Sequence, residues 1–105
     1  MLNMIINIAK EFSPFPAGRF LTDGPYSGEK FREEFLIPNI ERHEELLINL
    51  DGVMGFGSSF LEEAFGGLVR RLDNSSVVFK KIKFISNEDP FLIDEINSYM
   101  EGAKG

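Results

Sequence analysis

The chain has 105 residues and a formal charge of −6, from 11 Lys plus Arg against 17 Asp plus Glu. It carries no Cys and one His, which excludes disulfides, thiolate metal sites, cysteine nucleophiles and multi-histidine metal sites within one chain. Apolar residues make up 43%, a globular composition, and an acidic balance without basic blocks argues against nucleic acid and anionic membranes as partners.

Leu2, Met4, Ile6 and Ile8 alternate, with Ile5 on the other face, which predicts a strand with one buried face. The run is too short to span a membrane, and no basic segment or cleavage pattern flanks it. The expectation is a soluble, cytoplasmic protein. Pro14, Pro16 and Gly18 mark a turn, and Arg19 to Thr22 reads as a short second strand pairing back on the first. Ser27 fits a helix N-cap, with Phe31, Phe35 and Leu36 following at helical spacing. Pro38 should kink or end that helix, with at most one more turn to Arg42. Leu46 to Leu50 reads as a central strand buried on both faces.

A glycine-bearing loop, Asp51 to Ser58, leads into a helix whose stripe is Leu61, Ala64, Phe65, Leu68 and Leu72. Ser59 and Glu62 have the spacing of a capping box. Asp73 to Ser76 reads as a turn, and a strand is expected within Val77 to Ile85, most regular from Ile82. Asp89-Pro90 opens a last helix with Phe91, Ile93, Ile96 and Met100 inward and Gly102 as its stop; residues 102–105 should fray. The expected order is β-β-α-β-α-β-α, an α/β domain over 1–105 with about four strands in a mixed sheet and about three helices. The expected core includes Phe31, Phe35, Ile48, Leu61, Phe65, Leu68, Phe84 and Ile96.

Gly55-Phe56-Gly57-Ser58-Ser59-Phe60 sits where a dinucleotide fingerprint would sit, between a strand and a helix. Phe60 stands in place of the third glycine, and no Gly-Lys-Ser/Thr is present, so loop geometry competes with nucleotide binding as the reading. A phosphate on Ser58 or Ser59 would meet free N–H groups and the positive end of the helix; the simpler reading, which the sequence favours, is that Ser59 caps the helix. Glu62 and Glu63 are adjacent, so on a helix they point about 100° apart and read as a solvated face rather than a general acid and base. His43 reads as exposed. Gly66-Gly67 within a helix costs about 1 kcal/mol each relative to Ala, which close packing or a partner surface would offset.

The segment from Asp51 to Phe65, with Ser58-Ser59-Phe60-Leu61-Glu62-Glu63 at its centre, resembles the central motif of the STAS-like domain family of unknown function. Ser27-Gly28-Glu29-Lys30-Phe31-Arg32 fits the same family. More distantly, the chain resembles the STAS domains of bacterial anti-sigma factor antagonists. In those domains a helix starts at an Asp-Ser-Ser-Gly type sequence whose serine is phosphorylated by a histidine-kinase-like ATPase. Here Gly57 stands in place of the acid and Phe60 in place of the glycine.

The resemblance implies a STAS-like fold and a non-enzymatic, bacterial signalling module. Its protein partner would be a histidine-kinase-like ATPase or an anti-sigma-type protein. The partner would be met through Gly55, Phe56, Gly57, Ser58, Ser59, Glu62 and Glu63, with Ser58 or Ser59 as the phosphorylation site. The alternative is a small-ligand or nucleotide-binding domain using the glycine loop. No catalytic residues, metal ligands or cofactor are expected.

Overall fold

Apolar alternation makes Asn3–Asn7 the first strand, β1, of a computed structural model that describes residues 3–72 and 75–104. The strand stops earlier than the alternation suggests, because Asn7 caps a single helical turn, α1, at Ile8–Glu11. The Asn7 side chain accepts the Lys10 N–H at 3.0 Å, and the Asn7 N–H donates to Glu11 Oε2 at 2.8 Å. Ile8 still reaches the core.

The expected second strand is replaced by a 3-10 turn at Leu21–Asp23. The Asp23 carboxylate accepts both the Arg19 N–H at 3.1 Å and the Phe20 N–H at 2.7 Å, so those donors are spent locally instead of on a ladder. Helix α2 follows over 28–42, with Ser27 as its N-cap, as its sequence signals. Its middle, Arg32–Leu36, is a π-helical turn. Pro38 lies just beyond that turn, and the Asn39 side-chain amide donates to Phe35 O at 2.7 Å. The helix therefore passes Pro38 and ends at Arg42.

Strand β2 is Glu45–Asn49, α3 spans 58–72 with a second π-helical turn at Glu62–Gly66, and α4 is Ser75–Lys81. Strand β3 is Ile82–Ile85 and α5 is Phe91–Gly102. Val77 to Lys81 is thus helical; the strand occupies only the expected regular part. Of the turn expected at Asp73 to Ser76, Asp73 and Asn74 lie outside the described residues, and Ser75 and Ser76 open α4.

The described sheet has three strands in the order β1-β2-β3, all parallel, not four in a mixed sheet. β2 is central. Its pairing sets Ile6 beside Ile48 beside Phe84, and Leu46 beside Ile82, on the face that the helices cover. The opposite face carries Ile5, Leu47 and Lys83; Ile5 is 60% exposed and Leu47 half-buried, so β2 is fully buried on one face, not both.

The core between sheet and helices holds the expected Phe31, Ile48, Leu61, Phe65, Leu68 and Ile96, whereas Phe35 and Phe84 pack at its margin. Phe91 was expected inward but is exposed at the first position of α5. No helix among the described residues is long and apolar enough to cross a membrane.

Candidate functional site

Two loops meet at the carboxyl end of the sheet. Asp51 follows β2, and its Oδ1 accepts the Glu88 N–H at 2.9 Å. Its Oδ2 accepts the Asn87 N–H at 3.2 Å and the Asn87 side-chain amide at 3.1 Å. In return the Gly52 N–H donates to Glu88 Oε1 at 2.9 Å. The backbone hydrogen bond from Glu88, with those from Asn87, holds the Asp51 carboxyl below the usual carboxylate range. Gly52 has φ +88°, a left-handed conformation that favours glycine, and Met54 N–H donates to Pro14 O at 2.9 Å. The loop base is therefore anchored on both sides.

The loop tip differs. Gly55 and Gly57 are exposed, neither has a positive φ, and a Cβ at either would meet nothing within 4 Å. Gly57 is the N-cap of α3, with φ −76° and ψ 145°. Ser58 and Ser59 form the exposed first turn, and Phe56 packs half-buried on Phe60, ring centroids 6.0 Å apart. The capping box expected between Ser59 and Glu62 does not form: α3 starts earlier, and no side chain caps it.

Glu62 is drawn elsewhere. It binds Arg19 Nη1 at 2.6 Å and Arg70 Nη1 at 2.6 Å. Glu63 binds Arg32 Nη1 at 2.6 Å and Arg19 Nη1 at 3.2 Å, and Arg32 Nε reaches Glu33 at 2.8 Å. The two glutamates are thus partly buried members of an ion-pair network, not a solvated face. The network ties the 18–23 turn, α2 and α3 together. Apart from the adjacent Arg32–Glu33, these partners lie 8 to 44 residues apart in the chain, a separation that no local spacing rule detects.

Gly66 and Gly67 serve this packing. A Cβ at Gly66 would lie 2.7 Å from Glu62 Oε2 and 3.2 Å from Tyr99 O; at Gly67 it would lie 2.5 Å from Arg32 Nη1. Gly28 is another close approach, where a Cβ would stand 2.5 Å from Phe60 O. Of the residues singled out in the sequence, then, Gly55, Gly57, Ser58 and Ser59 share an exposed tip. Phe56 roots that tip in the core, and Glu62 and Glu63 brace the helix behind it.

Hydrogen bonding from Arg70, reinforced by Arg19, lowers the Glu62 pKa from its ordinary value of 4.5 against the opposing effect of burial. A lowered folded-state pKa means that the unfolded chain binds protons first on acidification. The Glu62 contribution to stability is therefore full above about pH 4.5 and is lost as pH falls through the lower folded value. Glu62→Gln is expected to be less stable than wild type at pH 7, with the difference shrinking towards pH 3. Urea unfolding across that range checks this; a deficit as large at pH 3 as at pH 7 would contradict it.

Residues 27–91, more than half of the chain, match the family described as STAS-like domain of unknown function (DUF4325). The chain belongs to that family. No curated protein and no solved structure matches it.

Proposed function

We propose that this STAS-like domain is a non-enzymatic regulatory interaction module, similar in role to an anti-sigma factor antagonist. It binds a protein partner through the 55–63 loop and helix start. The observation that carries this reading is the pair Gly55 and Gly57. The buried or left-handed glycines have a packing or backbone reason, whereas these two, like Gly102 at the end of α5, are open and unstrained, and they alone of these share a loop tip with the exposed Ser58 and Ser59. Bare backbone at a loop tip admits close approach by another chain. Glu62 and Glu63 act as positioning residues, fixing the helix that presents Ser58 and Ser59.

A phosphate on Ser58 or Ser59 would bring about −1.5 to −2 charges to the first turn of α3, where the helix dipole favours negative charge. Folding would tolerate it, while a partner fitted to the neutral tip would not. A histidine-kinase-like ATPase or an anti-sigma-type protein is the proposed partner class. A nucleotide in the glycine loop is the weaker reading, because the neighbouring cleft is walled by Asp51, Glu88, Asp89 and Glu95, which would repel phosphates.

The test pairs stability with binding. Photo-crosslinking from position 57 identifies the partner, and calorimetry with that purified partner compares wild type with Ser58→Asp. Binding is expected to weaken at least about tenfold, equivalent to about 1.4 kcal/mol, with urea unfolding unchanged within about 0.5 kcal/mol. Ser59→Ala, at a position that makes no cap, should also change stability by less than about 0.5 kcal/mol. Wild-type affinity in Ser58→Asp would sink the serine switch; equal crosslinking from Glu41, an exposed residue of α2, would sink the surface itself.

A further inference from the structure

Beside the loop tip a cleft of about 320 Å³ opens at the carboxyl end of β2 and β3. Open α/β sheets bind their ligands outside the carboxyl ends of the strands. Leu50, Phe56 and Leu92 supply apolar wall, and the carboxylates of Asp51, Glu88, Asp89 and Glu95 supply the rest of the lining that matters here.

These carboxylates are treated differently from those of the ion-pair network. Glu33, Glu62 and Glu63 each meet arginine. Among the described residues, none of the four cleft carboxylates forms an ion pair. Their hydrogen bonds come from neutral donors: amides for Asp51 and Glu88, and the Tyr99 hydroxyl, at 2.6 Å, for Glu95. Such bonds orient a carboxylate without neutralising it. Four uncompensated negative charges therefore face one apolar-floored cleft on a chain of charge −6.

The flanks are apolar. Met54 precedes Gly55 of the lining, and Phe91 precedes Leu92; at 74% and 79% exposure they are the most exposed large hydrophobic side chains described. Neither contributes to the core, and each is a chain neighbour of residues that line the cleft.

We propose that this cleft seats a cationic, amphipathic segment of the protein partner. An Arg or Lys stem lies along Leu50, Phe56 and Leu92 with its head among the carboxylates, and neighbouring apolar side chains of the segment cover Met54 and Phe91. Long basic side chains suit this arrangement because an apolar stem carries the charge. Charge-assisted bonds to an apolar-walled acidic cleft favour a cation over a neutral side chain. The inference rests on the interaction-module reading, since the cleft shares Gly55 and Phe56 with the proposed partner surface, and it adds the chemistry of what binds.

Fluorescence anisotropy with a labelled peptide of alternating Arg and Leu tests it. Two controls replace Arg by Glu and Leu by Ser. The Arg-Leu peptide is expected to bind, and to bind about fivefold or more weakly on raising salt from roughly 50 to 300 mM. Asp89→Lys and Phe91→Ser, both at exposed positions, are each expected to weaken it about fivefold or more with unchanged melting temperature. Equal binding of the Glu-Leu or the Arg-Ser peptide would overturn the proposal, as would wild-type affinity in both variants. If those variants bind normally while Ser58→Asp still loses the purified partner, the cleft proposal falls and the interaction module stands. If the variants lose the peptide while Ser58→Asp keeps the partner, the cleft stands and the serine tip falls.

Discussion

Phe31→Ala is expected to lower the free energy of unfolding by about 4 kcal/mol, the largest effect of any single substitution considered. Phe31 is fully buried at the meeting point of four rings. Its centroid lies 5.1 Å from Phe12, 5.4 Å from Phe35, 6.1 Å from Phe60 and 6.2 Å from Phe65. These rings come from the segment after α1, from α2 and from α3, so no one element can move inward to fill the void without dragging another. Edge-to-face pairs also contribute about 0.5–1.5 kcal/mol each beyond area burial. Phe91→Ala, at an exposed position, is the comparison, with an expected change within about 0.5 kcal/mol. Urea unfolding of both variants with unchanged m-values checks the contrast. A loss below about 2 kcal/mol for Phe31→Ala would mean that the cluster relaxes as a liquid would.

What the sequence revealed follows from where the deciding interactions lie. The Leu46 to Leu50 run and the α3 stripe depend on local periodicity: β2 is central as read, though buried on one face and not on both, and Leu61, Phe65 and Leu68 of the stripe are buried. Ser27 capped as predicted because a cap is decided within three residues. The same local logic failed at Ser59, where Glu62 had better partners in Arg19 and Arg70, distant in sequence and close in space. Arg19 to Thr22 failed because one side chain, Asp23, captured two backbone donors. Within Val77 to Ile85 the strand forms where the pattern is most regular, at Ile82–Ile85, whereas Val77 to Lys81 is helical despite its two valines, of which only Val78 is drawn into the core. At the candidate site, the glycines and serines stood out in sequence. The cleft carboxylates did not, since Asp51 and Glu95 are brought together only by the sheet and α5.

The buried pair Arg32–Glu63 governs how that site is presented. The Arg32 and Glu63 side chains are only 10% and 12% exposed, and Arg32 Nη1 donates to both Glu63 Oε2 and, at 3.0 Å, Glu63 O. Burial opposes the charge on Arg32, and its bonds to Glu33 and Glu63 outweigh that opposition. Removing one partner takes the shortest ion pair from the other, leaving Arg32 with Glu33 at 2.8 Å and Glu63 with the longer contacts to Arg19 and Arg70 at 3.2 and 3.8 Å, so Glu63→Gln and Arg32→Met are each expected to cost about 2 kcal/mol. In the double variant neither half-paired charge remains at that contact, and the Met stem can lie beside Gly67, where no Cβ fits next to the guanidinium. Its cost should therefore fall short of the sum of the singles by at least about 1 kcal/mol. The consequence for recognition goes further than stability. Glu63 lies one helical turn after Ser59, and Arg32 lies one turn after Gly28, where α2 approaches α3 closely. A pair that sets this approach also sets the angle at which the serine tip emerges. Glu63→Gln should weaken binding of the proposed partner even under conditions where the variant is fully folded, and the double variant should recover stability more than affinity, because Met restores volume but not the directional bond. Additive costs across the cycle, or full partner affinity in folded Glu63→Gln, would show that the pair is a passive neutralised contact.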